Sequence, residues 1–74
     1  MNEEELRQAQ GLIDKLAIGD KRCVKEIYGQ EWGSIVEPKV FGKQFKRAVL
    51  DNRLRNLTRV GIRNAGRCDE YERT

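Results

Sequence analysis

Residues 38–67 read PKVFGKQFKRAVLDNRLRNLTRVGIRNAGR. Pro38 suits the first turn of a helix, where its missing N–H costs nothing. Val40, Phe41, Phe45, Ala48 and Val49 then recur at helical spacing, so a helix is predicted over 39–51. Lys39, Lys43, Lys46 and Arg47 lie on its other side. A solvated helix face usually mixes signs, because opposite charges four apart attract. Here Lys39 with Lys43, and Lys43 with Arg47, repel by a few tenths of a kcal/mol each. A nucleic acid, an acidic protein surface or simple solubilisation would each account for them. Asp51-Asn52 opens an exit turn, and Arg53 and Arg55 sit in a basic connector. Over 57–63, LTRVGIR alternates as a strand, with Thr58, Val60 and Ile62 on one face and Arg59, Gly61 and Arg63 on the other. Asn64-Ala65-Gly66 has turn chemistry, since Asn and Gly both tolerate the left-handed region. RCDEYER returns over 67–73 as a second strand. With Tyr71 facing inward, Arg67 and Asp69 share its face. Glu70 and Glu72 are then placed to pair with arginines of the neighbouring strand, a purely structural use for Arg59 and Arg63.

The stretch carries nine Lys or Arg against one acid, a net charge of +8. Residues 1–37 carry −3 and residues 68–74 carry −2, so the chain's +3 conceals a strong segregation. Segregated positive charge points to a polyanionic partner.

Working outward, Asn2 and Glu5 have capping-box spacing, and Glu3, Glu4 and Glu5 suit the positive end of a helix. Leu6, Ala9, Ile13, Leu16 and Ala17, with Leu12 at the edge, make an apolar stripe, so a helix is predicted over 3–18, ended by Gly19. Gly11 inside it would serve close packing. RCVKEIY, residues 22–28, reads as a short strand. Residues 30–36, QEWGSIV, read as a short helix with Trp32, Ile35 and Val36 on one side. Trp32 is expected in the core first, and as a stacking platform for a base second.

The order is helix, short strand, helix, helix and a C-terminal β-hairpin. It makes one α+β domain over 1–74, with 30–36 and 39–51 as a helix-turn-helix pair and 57–63 with 67–73 as a wing. This is the topology of a winged helix-turn-helix, in which the second helix of the pair enters the major groove.

Three segments, VKEIYGQEW (24–32), FGKQFKRAV (41–49) and GIRNAGRCDEY (61–71), resemble a family of small bacterial and phage proteins known only as a domain of unknown function. The resemblance implies a similar fold, a Trp before a Gly-containing helix and a closing hairpin with a late Tyr. It implies no activity.

The chain has no His, one Ser and two Cys. The commonest general base is therefore missing, and Ser34 has nothing to activate it. Cys23 and Cys68 are not spaced as a zinc pair, and two buried free thiols are the leading expectation in a reducing cytosol, with a disulfide or a reactive thiol as the alternatives. Asp69 alternates in direction with Glu70 and Glu72, which does not converge carboxylates on a metal. No catalysis, cofactor or metal is expected. No apolar run is long enough to span a membrane, and MNEEELRQAQ lacks signal-peptide character, so a cytoplasmic protein is expected.

The leading expectation is a small DNA-binding regulatory or accessory protein, monomeric or homodimeric, with RNA as the second nucleic acid. Lys39, Lys43, Lys46 and Arg47 would meet phosphates and Gln44 a base edge. Arg53 and Arg55 would extend the basic surface, and Arg59, Arg63, Asn64 and Arg67 would grip from the wing. The alternative is a protein-interaction module, phage-encoded, that presents its basic surface to a host protein.

Overall fold

A computed structural model describes residues 1–74. Helix α1 (Glu3–Asp14) is followed by strand β1 (Lys21–Cys23), helix α2 (Val24–Tyr28), a short 3-10 helix (Gly29–Ser34), helix α3 (Pro38–Leu50), and strands β2 (Leu57–Ile62) and β3 (Asp69–Arg73). The three strands form one antiparallel sheet in the order β1-β3-β2. The result is a small α+β domain. No helix is long and apolar enough to cross a membrane.

The strong local signals place α1 and α3. Asn2 Oδ1 accepts the Glu5 N–H at 2.8 Å while Glu5 Oε1 accepts the Asn2 N–H at 2.9 Å, closing the capping box. The helix stops at Asp14 rather than continuing to residue 18. Ile13 and Leu12 carbonyls accept tighter turn bonds, and Asp20 Oδ2 accepts the Ala17 N–H at 3.0 Å, which diverts the backbone into a turn. Ala17 is exposed. Gly11 is no packing glycine either, because a Cβ there would meet nothing within 4 Å.

Residues 22–28 depart from the expected strand. Only Lys21–Cys23 pairs with β3, and the chain then turns directly into α2. The Glu26 carboxylate accepts the Cys23 N–H at 2.9 Å, capping that helix start. Gly29, at φ +56, ends α2 in a conformation that side chains disfavour. Ile27 and Tyr28 thereby reach the core, as a strand's alternation would not allow. Residues 29–34 are 3-10 rather than a regular helix, and Val36 projects into solvent instead of joining Trp32 and Ile35.

α3 buries Phe41, Phe45, Ala48 and Val49, leaving Val40 half exposed. Phe45 is fully buried, with edge-on contacts to Tyr71 at 5.2 Å and Tyr28 at 6.1 Å between ring centroids. Ile13 and Ala9 of α1, Ile27, Leu54 and Leu57 complete the same cluster. No charged side chain is buried. Gly42, inside α3, has open space where a Cβ would project. A glycine there costs about 1 kcal/mol relative to alanine, with no packing gain in return.

In β2 the two faces are those the alternation predicts, with Leu57, Arg59 and Gly61 turned inward and Thr58, Val60 and Ile62 exposed. The pairing register shifts within the strand, Arg59 opposing Tyr71 while Gly61 opposes Glu70, so Val60 is an extra residue, yet the inward–outward alternation runs through it unbroken. Cys23 and Cys68 are joined as a disulfide, with Cα atoms 5.9 Å apart, which corrects the expectation of free thiols. Pairing of β1 with β3 brings together residues 45 positions apart in sequence.

Candidate functional site

A concavity of about 580 Å³ lies between the first half of α3 and the chain entering β3. Lys39, Lys43 and Lys46 line one wall, spaced four and three apart and so on one helix face. Arg67 comes from the other side, next to the disulfide residue Cys68. Trp32, Val24, Pro38 and Tyr71 supply apolar lining, and Asp69 is the one carboxylate.

Arg67 occupies this position through an unusual backbone. Its φ is +48, and the preceding Gly66 is at +83. A side chain in the left-handed region costs of order 1 kcal/mol or more, so the fold must over-determine it. The next residue, Cys68, is anchored twice, by the disulfide to Cys23 and by its carbonyl accepting the Arg63 N–H at 2.8 Å. Of the two turn residues expected to tolerate the left-handed region, Gly66 adopts positive φ and Asn64 does not. Asn64 is exposed at the hairpin tip.

Other expected site residues are placed differently. Arg59 grips Asp69, with Nη2 at 2.8 Å and Nε at 2.9 Å from Oδ1. Lys46 reaches the same oxygen at 3.7 Å, so the groove's carboxylate is already shared between two cations. Arg63 donates to Glu70 at 2.9 and 3.0 Å and meets Glu26 at 3.0 Å, tying the wing to α2. The hydrogen bond from Arg63 holds the Glu26 carboxyl below its usual value, helped by the Cys23 N–H. Arg47 pairs with Asp51 one turn on, at 3.3 Å. Glu72 pairs with neither wing arginine; Asp69 and Glu70 do.

Gln44 belongs to the opposite flank of α3, in a smaller recess with Glu5, Glu37, Val36 and Val40. That surroundings is acidic. Arg53 and Arg55 are exposed beyond the C-terminal end of α3, away from the groove. The Arg55 backbone is clamped to α1, its N–H donating to Gln10 Oε1 at 2.7 Å and its carbonyl accepting from Gln10 Nε2 at 2.9 Å.

The eleven expected residues therefore do not form one continuous face. Lys39, Lys43, Lys46 and Arg67 converge, and Lys39, Lys43 and Arg67 are in no ion pair. Gly42, Asp69 and Tyr71 belong to the site but were not expected as site residues, and Trp32, expected first in the core and second as a platform, lines it as well. Burial, with Asp69 adding to it, pushes the Tyr71 hydroxyl up to about 12, so it stays a neutral donor. Three or more His, Cys, Asp or Glu side chains gather nowhere in a form that could hold a metal ion.

Comparisons with protein-family models, with curated proteins and with solved structures returned no match to this chain. The reading of the site therefore rests on its own geometry.

Proposed function

We propose that this domain is a winged helix-turn-helix module that binds nucleic acid, DNA ahead of RNA, in the groove between α3 and the wing. Its role is binding, in regulation or as an accessory to another nucleic-acid process, and not catalysis. One observation carries this reading: Lys39, Lys43, Lys46 and Arg67, from two separate elements, line a single concavity that holds one carboxylate. Concave walls of one sign concentrate potential and draw in counter-ions. Further support comes from the element order, a helix followed by a two-stranded hairpin, and from the packing of α3 against that hairpin. The wing is a smaller contributor than its composition implies, because Arg59 and Arg63 are neutralised within the domain.

The test is fluorescence anisotropy on duplex DNA, single-stranded DNA and RNA across a range of salt. Four contacts give a slope of log affinity against log salt of roughly −3 to −4 on a duplex and about −3 on a single strand. Engagement of all nine cations of residues 38–67 would instead give roughly −8 on a duplex. Absence of salt-dependent binding to all three probes contradicts the proposal.

A further inference from the structure

We infer that the groove takes an unpaired nucleobase, so that the preferred ligand is a single strand rather than an intact duplex. The inference rests on the nucleic-acid reading above and narrows it.

Phosphates alone require a charged surface. This groove is more than that, because its cations surround apolar walls, with Trp32 and Tyr71 among them. The size, about 580 Å³, exceeds what a phosphate or sugar edge would fill. A base inside a duplex hides its faces in the stack, and exposing them costs unstacking and unpairing. A single strand offers those faces freely, and aromatic side chains bind them with little regard to sequence.

Trp32 is built as a platform. It is half buried, and its ring is held edge-on by Phe41 at 6.2 Å and 73° and by Tyr28 at 6.2 Å and 63°. Such packing fixes the ring before any ligand arrives, so little side-chain freedom is lost on binding. Gly42 faces the same space and adds no side chain to it. A helix-interior glycine with no close neighbour has no structural reason to be there, and in this position it keeps the groove open. Lys39, Lys43 and Arg67 then sit where phosphates on either side of an inserted base would lie.

The experiment uses the whole protein and three probes of about 12 nucleotides: an oligothymidylate, an abasic strand of the same length, and a duplex. The abasic strand keeps every phosphate and lacks every base. We expect the oligothymidylate to bind about tenfold more tightly than either of the others, with a change in Trp32 emission that the abasic strand does not cause. Gly42→Leu, which fills the groove and keeps every charge, is expected to bring the oligothymidylate down to the abasic level. Equal binding of the three probes with unchanged emission overturns the inference and leaves nucleic-acid binding intact. Failure of all three to bind overturns both. The wild-type comparison decides the matter even where Gly42→Leu does not fold.

Discussion

Breaking the Cys23–Cys68 bond is expected to lower the stability of the domain by about 4 kcal/mol and its melting temperature by roughly 15–30 °C. The bond closes a loop spanning 45 positions, which is most of this chain. In the chain-entropy account a loop of that length confers about 4 kcal/mol by restricting the unfolded state. A domain of 74 residues has total stability of roughly 4–11 kcal/mol, so the loss is a large share. The core offers little to offset it, since β1 is three residues long and depends on pairing with β3. Thermal melts with and without a dithiol reductant, and of Cys23→Ser/Cys68→Ser, measure the effect. Coincident melts would show that the β1–β3 pairing holds without the bond.

Reversing the charge of two groove residues, Lys39→Glu with Lys43→Glu, is expected to weaken nucleic-acid binding about 100-fold near 0.1 M salt. Each phosphate contact releases close to one counter-ion, which near that salt concentration amounts to almost tenfold per contact. Two lost contacts approach the full figure, and the new carboxylates repel the backbone. Both lysines are exposed and in no ion pair, so the fold should be affected by less than about 0.5 kcal/mol. Arg53→Glu with Arg55→Glu is the matched control, with the same change of charge beyond the end of α3. It should weaken binding only slightly, through long-range attraction. If the control pair has the larger effect, the ligand does not lie in the groove.

Legibility in the sequence followed the range of each interaction. The start of α1 could be read because Asn2 and Glu5 cap each other three residues apart. α3 could be read because Pro38 opens it and Phe41, Phe45, Ala48 and Val49 repeat with the helix period. The hairpin was placed within two residues at either end, from its turn and alternation. α2 was missed because five residues are too few to show a period, and its cap is a Cys–Glu pair rather than the usual Ser or Thr. Val60 and Ile62 share a face with Thr58, as the alternation predicts, but alternation alone does not say which of the two faces meets the core.

The site was less legible than the fold. Whether a cation is available depends on which carboxylate the register sets opposite it. Asp69 reads as a solvated charge, yet it lies beside Arg59 across the sheet and below Lys46 on α3. Glu26 reads as part of a strand, yet α2 carries it to Arg63. Gln44 is one residue from Lys43 but faces an acidic recess, because successive helix positions point in different directions. Trp32 was assigned to the core, and it does pack there, while its remaining surface lines the groove.

The most direct measurement is a backbone and indole chemical-shift map of the oxidised protein titrated with a short oligothymidylate. The account predicts that the largest shifts gather on Trp32, Lys39 to Lys46 and Arg67 to Tyr71, with the acidic start of α1 unmoved. Shifts centred on Arg53 and Arg55, on the α1 face, or nowhere at all would contradict it.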